Sequence, residues 1–306
     1  SARHSRCEVE MPMEQRKRPK SSMARQYGDP PSLVQQFSLG SVILREPRYS
    51  GIMHRAIRSF LSPLRPLLCN DAVCFQGVTL PAPHLRTGGR CFIDNATYLD
   101  SAQKEAKRIT HTFHCTADQR VLDIGCGTGR LAIGLHALCK EATPQYIGMD
   151  ISLTAVRWCR KHIARKHPSS SFLHLPLHNE RYNPTGIRLD DAFRFPWHDA
   201  SFDAIYLYSV FSHMRSPEIR IYLREFRRLL RPSGHVFLTA FTEDGVPSEE
   251  ENPANYRDAW KGPLHCVRFA KDYFARTITE SGLTIDRYDQ GTETDGQSGY
   301  YLSLAA

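Results

Sequence analysis

An α/β fold, a mostly parallel sheet with helices on both faces, is predicted by three features of the chain. Short apolar strands alternate with amphipathic helices from Arg120 onward. A glycine-rich loop closes the first of those strands and opens the first helix. The 306 residues, 41% hydrophobic and 24% charged, are enough to bury a sizeable core.

Each element follows from its pattern. Arg120-Val121-Leu122-Asp123-Ile124 reads as a short buried strand, followed by Gly125-Cys126-Gly127-Thr128-Gly129. Residues 130–140 form a helix whose apolar positions are Leu131, Ile133, Leu135 and Leu138. Tyr146 to Met149 is the second strand, ending at Asp150, and residues 154–166 are the second helix. Residues 171–175, 202–208 and 235–241 supply the next three strands, with a strongly periodic helix at 218–230 closed by Pro232 and Gly234. Then come a helix at 268–280, a strand at 284–288, a polar loop and a strand at 300–304. Two strands joined without a helix predict an antiparallel pair at one sheet edge, making seven strands in all.

The region before this pattern is different. Residues 1–40 are rich in Pro, Ser and Gln and read as a loosely packed arm. Ile52, Met53, Ala56, Ile57, Phe60 and Leu61 recur at helical spacing within 49–68, which predicts an amphipathic helix ended by Pro63. It is either a lid, a partner-binding or membrane-surface helix, or a helix packed on its own domain. The expected organisation is therefore a helical and irregular N-terminal extension over 1–70 and one domain over 71–306, with its core from about 115. Of the net charge of +8, the first 70 residues hold +7, from 12 basic and 5 acidic residues, densest at Arg16-Lys17-Arg18-Pro19-Lys20. Such a cluster is either a solvated tail or a grip on nucleic-acid phosphates.

Other classes are excluded. No apolar stretch approaches the roughly 20 residues of a membrane-spanning helix, and the basic start lacks the apolar core of a secretory leader. The 19 Gly and 19 Pro follow no period, which excludes collagen-like and repeat chains. The nine cysteines include no C-x-x-C pair, so a reduced, cytoplasmic chain without a metal site is expected.

The glycine loop carries the chemistry. Glycines there allow backbone angles barred to other residues and let a ligand lie against the main chain. The dinucleotide pattern G-x-G-x-x-G fits poorly, because Arg130 stands where its third glycine belongs. Asp123, two residues before the loop, suits a cationic ammonium better than two phosphates. A cofactor with an amino-acid end and no phosphate is the better match.

The run Val121–Gly129 resembles the first motif of class I S-adenosylmethionine-dependent methyltransferases. Asp150, 21 residues after Gly129, resembles that family's ribose-binding acid. Asp191-Ala192, with Phe195-Pro196-Trp197 and Ser201-Phe202-Asp203 beyond, resembles the segment beside the adenine, although Asp203 itself reads as a turn-former. Leu229-Leu230-Arg231-Pro232-Ser233-Gly234 resembles the turn before the fifth strand, with Ser233 in place of a second glycine. The resemblance covers about residues 115–306. It implies a Rossmann-like sheet and S-adenosyl-L-methionine as cofactor. Asp123, Gly125, Cys126, Gly127 and Gly129 would then hold the amino-acid end, Asp150 and Ile151 the ribose side, and Asp191 and Ala192 the adenine. Tyr208 and Ser209 begin the segment that faces the cofactor in family members.

For the transfer itself, the protein must orient the acceptor and, for a hydroxyl or ammonium, take a proton. His213 is the natural base because its ordinary pKa is near neutrality; a histidine that merely packs the helix start is the competing reading. His198 and His265 are weaker candidates. Tyr256, Trp260 and His265 lie in a stretch expected to overhang the pocket, and either line an acceptor site with His213 or cover the sheet. The segment Asn179 to Gly186 resembles a subset of methyltransferases acting near sugar or natural-product pathways, which favours a small-molecule acceptor. An RNA methyltransferase, a non-catalytic scaffold with the same fold and a nicotinamide dehydrogenase are the alternatives. Against RNA stand the nearly neutral body and the absence of an Asn-Pro-Pro-Tyr-like or Pro-Cys motif.

Overall fold

The computed structural model describes residues 71–139, 143–254, 256–257 and 259–305. The basic cluster at 16–20 and the helix expected over 49–68 lie outside the described residues.

A hairpin of β1 (Ala72–Phe75) and β2 (Val78–Pro81) comes first. Its two turn residues, Gln76 and Gly77, both have positive φ, the geometry that lets a two-residue turn follow strand twist. Helix α1 (Asn95–Lys107) is capped by Asp94, whose carboxylate accepts from the Thr97 amide at 2.8 Å. The alternating region supplies β3 (Arg120–Ile124), α2 (Arg130–Leu138), β4 (Gln145–Asp150), α3 (Leu153–Cys159, prolonged by a π-helical turn) and β5 (Ser170–His174). Next come β6 (Phe202–Leu207), α4 (Ser216–Leu229), β7 (Leu230–Glu243), β8 (Glu249–Glu251), β9 (Val267–Ala270), α5 (Lys271–Glu280), β10 (Leu283–Asp289) and β11 (Ser298–Leu304).

The main sheet has the order β10-β11-β7-β6-β3-β4-β5. Strands β7, β6, β3, β4 and β5 are mutually parallel, while β11 runs against both β7 and β10. The expected antiparallel pair thus occupies one edge. Two short strands join the seven expected: β9 continues the sheet beside the end of β7, and β8 pairs with β9.

Side chains alternate between the two faces of each strand, and both faces are covered, so the strands are apolar throughout. Val121 faces a layer formed with α1, α2 and α3, including Tyr98, Leu99, Leu131 and Trp158. Leu122 and Ile124 face the other layer, with Ile219, Leu223, Phe226 and Phe274 from α4 and α5. Helices α1 and α2 meet at Gly134, where a Cβ would stand 1.9 Å from the Ala102 carbonyl oxygen. Asp203 is structural, accepting from the Arg120 amide at 2.8 Å and from Arg231 at 2.7 Å. The parallel strands all end on one side, and the order reverses between β3 and β6. That is where a ligand crevice forms in such sheets.

Candidate functional site

The loop after β3 is shaped by glycine. Gly125, Gly127 and Gly129 have φ of +74°, +52° and +76°, a region that side chains with a Cβ rarely enter. A Cβ at Gly125 would stand 2.4 Å from Cγ2 of Val210, and one at Gly129 would stand 2.6 Å from Cδ1 of Ile163. The amides of Gly125 and Cys126 donate to the Met149 carbonyl at 2.8 and 3.0 Å, tying the loop to the end of β4. Its main chain floors a cavity of about 510 Å³, which runs on past Asp150 to the first turn of α4. That volume is typical of a small-molecule site.

Two buried carboxylates stand at this end. Asp150 accepts from the Gly127 amide through Oδ2 and from the Ser152 amide through Oδ1, each at 2.7 Å. Burial raises its pKa, and these hydrogen bonds work against the rise. Asp123, 2% exposed, accepts from the Tyr146 hydroxyl. Burial pushes it up to about 7, with the Tyr146 hydrogen bond and the Arg130 charge opposing. A carboxyl so raised and facing a cavity suits an ammonium. Arg130 also lines the cavity, its guanidinium 4.5 Å from the centre of the Tyr208 ring. The bare loop, the two carboxylates and the one nearby cation fit a nucleoside carrying a zwitterionic amino acid.

Beyond β6, Tyr208 and Ser209 line the cavity as well. Tyr208 is held by Thr294, whose amide donates to its hydroxyl at 3.0 Å. Ser209 has φ +57°, fixed by its amide's bond to Thr239 Oγ1 at 2.8 Å. His213 follows on a short 3₁₀ turn. Its Nδ1 lies 3.0 Å from the Leu264 carbonyl oxygen, which can only accept, so Nδ1 carries the proton and Nε2 is a bare acceptor. Nε2 stands 3.4 Å from the Tyr182 hydroxyl. Burial lowers its pKa to about 4, so the ring is neutral at ordinary pH.

The cavity therefore brings together Asp123, Gly125, Cys126, Gly127, Asp150, Ile151, Tyr208, Ser209 and His213. Gly129 sits just behind, at the N-cap of α2. Two groups of expected residues are not brought into the cavity. Asp191 and Ala192, expected at the adenine, are exposed and outside the cavity wall. Leu177 pairs with Ile187 in an isolated bridge, so residues 177–189 make that wall, and the Asp191 carbonyl is held by Arg224 at 2.8 Å. Tyr256, Trp260 and His265, expected beside the acceptor, are also outside it. Tyr256 and Trp260 pack with Phe241 and Cys266, and His265 meets the Trp260 ring edge-on. They cover the sheet edge because Asn252, bonded to Cys266 and Gly262, folds that stretch back on itself.

The sequence reading missed other walls. His84, Leu85, Thr87 and Phe92 close the cavity from the link between β2 and α1. Arg86 clamps that link, donating to the Pro81 and Phe92 carbonyls at 2.8 and 2.9 Å and to Asn95 Oδ1 at 2.6 Å. The signal available was Asp94 with Thr97 before Tyr98, Leu99, Ala102 and Ala106, a capped helix at apolar i, i+4 spacing. Glu218 and Tyr222, read as ordinary helix positions, line the far wall.

Residues 122–238 match the family model of a methyltransferase domain. The chain is 26% identical over 191 residues to the 27-O-demethylrifamycin SV methyltransferase of Amycolatopsis mediterranei, covering 62% of this chain and 63% of that one. It is 27% identical over 146 residues to the O-methyltransferase cnsE of Penicillium expansum, covering 48% and 46%. The match thus spans about half the length of these relatives. Among solved structures it is similar to the [4+2]-cyclase SpnF, with a TM-score of 0.51 and 16% identity over 82% of this chain and 95% of that one. That likeness shows the fold alone; the reaction must be argued from the site.

Proposed function

We propose that the chain, whose residues 122–238 match a methyltransferase domain, is a class I S-adenosylmethionine-dependent methyltransferase that methylates an oxygen or nitrogen of a small, natural-product-like acceptor. The observation that carries the reading is one cavity holding Asp123, the glycine loop, Asp150 and a neutral His213. The O-methyltransferases among its relatives support the acceptor class.

S-adenosylmethionine supplies, when bound, a methyl group already activated by a positive sulfur. The residues of this chain do the rest. The main chain at Gly125–Gly127 and the Asp123 carboxylate would hold the amino-acid end, and Asp150 would accept from the ribose hydroxyls. Ile151 would pack beside the nucleoside, and Tyr208 and Ser209 line the same cavity. Val210, Met214 and Leu264 give the cavity an apolar wall that keeps water from the reacting centre. His213, its tautomer set by the Leu264 carbonyl, would accept the acceptor's proton at Nε2 as methyl transfer makes that proton acidic, since its own pKa is lowered to about 4.

The test is transfer of labelled methyl from the cofactor to a panel of hydroxylated and aminated small molecules. The reading expects one acceptor class to be labelled. It expects His213→Gln to lower kcat by about 10²- to 10⁴-fold, the usual worth of a positioned base, with cofactor affinity unchanged. Labelling that survives His213→Gln undiminished would remove the histidine from the mechanism.

A further inference from the structure

Five buried side-chain polar atoms have no hydrogen-bond partner among the described residues: Arg181 Nε, Glu218 Oε2, Tyr256 Oη, Trp260 Nε1 and Arg268 Nε. Of the oxygens, only Glu218 Oε2 belongs to a residue that lines the cavity. A buried carboxylate oxygen with nothing to accept is costly, and its presence in a ligand cavity calls for a donor from the ligand.

Position narrows that donor. Glu218 is in the first turn of α4, and Tyr222 is one turn further on the same face. Tyr222 also lines the cavity, its phenol pushed above the usual range by burial first and by the charges of Asp150 and Glu218 second. Asp150, Glu218 and Tyr222 line the same cavity, and Tyr222 packs in one buried cluster with Met149 and Leu177, which ties the first turn of α4 to the β4 end of the cavity and to the wall that Leu177 begins. Past a ribose held by Asp150, the nucleoside offers the amino group of its base as a hydrogen-bond donor. The residues expected to meet that base, Asp191 and Ala192, are outside the cavity. Asn179, which does line it, has its carbonyl oxygen occupied by the amides of Arg181 and Tyr182, each at 3.1 Å.

We infer that Glu218 reads the exocyclic amino group of the cofactor's adenine, accepting its N–H at the buried Oε2. The inference rests on the cofactor reading above. It makes the first turn of α4 the source of base specificity in this chain.

Calorimetric titration of the full chain with S-adenosylhomocysteine and with its 6-deamino purine counterpart tests it. The wild type should prefer the amino form by roughly ten- to a hundredfold, as expected for a hydrogen bond to a charged group. Glu218→Ala should bind the two within about threefold of each other, and Glu218→Gln, which keeps a carbonyl acceptor, should restore part of the preference. Because Oε2 is unpaired, Glu218→Ala should unfold at no lower a temperature without ligand. A Glu218→Ala chain that keeps the full preference overturns the inference. So does one in which the preference is intact and the KM for the methyl acceptor rises, since the carboxylate then faces the acceptor. A wild-type chain that binds neither nucleoside would contradict the cofactor reading itself, and this inference with it.

Discussion

At the β3 end of the cavity the wall is main chain: three glycines with positive φ, amides tied to Met149, and two carboxylates at strand ends. At the α4 end it is side chains, delivered by the detour at 177–189, the 3₁₀ turn carrying His213 and the first turn of α4. The first end tolerates almost no substitution, because its glycines have positive φ and a Cβ at Gly125 or Gly129 would run into Val210 or Ile163. The second end is built from replaceable parts on a fixed frame. In the proposed reading, such a division would set the amino-acid and ribose ends of the cofactor against the fixed frame, and its base and the acceptor against side chains.

The comparison can be broken at its rigid end first. Gly125→Ala must enter the left-handed region, at about 1–2 kcal/mol, and must displace Val210, for which overpacking adds roughly 1–3 kcal/mol. Cofactor affinity should fall by about a hundredfold or more, measured by calorimetry. Adding Val210→Ala should recover only part of the loss, because the strain in φ persists. Full recovery would mean that the clash alone makes glycine necessary there.

Asp150→Ala should have the next largest effect. It removes an acceptor for the ribose and leaves the Gly127 and Ser152 amides without their partner, weakening cofactor binding by about 1–3 kcal/mol. An unchanged affinity would mean that the carboxylate only braces the loop. Tyr256→Phe should do least. The Tyr256 hydroxyl is buried with no hydrogen-bond partner among the described residues, so its loss should leave turnover and melting temperature unchanged, or raise the latter slightly. Slower turnover would return that residue to the acceptor site.

The same division decides what could be read from the chain. β3, the loop and Asp150 were legible because only glycine satisfies those backbone angles, and because a carboxylate at a strand end has few structural uses. Helix α4 was legible from its periodicity, although its part in the cavity was not: Glu218 looks like any charged residue in a first turn. The wall at 177–189 was hidden, since isolated bridges, Leu177 with Ile187 and Asn179 with Asn183, set its path and leave no periodic trace. Tyr256 and Trp260 left two readings open for a related reason. Aromatics that cover a sheet edge and aromatics that line a pocket are the same letters, and only the fold-back held by Asn252 separates them.

The most direct test of the central claim uses the Asp123 proton. With its carboxyl raised to about 7, Asp123 is mostly protonated at pH 6 in the free chain. An ammonium bound against it must restore the charge, so binding releases a proton at pH 6, and affinity rises with pH until the free carboxyl has ionised. Titrating S-adenosylhomocysteine at pH 6 in buffers of different ionisation enthalpy should therefore show release of close to one proton, lost in Asp123→Asn. Binding with no proton released, or equally tight in Asp123→Asn, would contradict the placement of an amino-acid end at this loop.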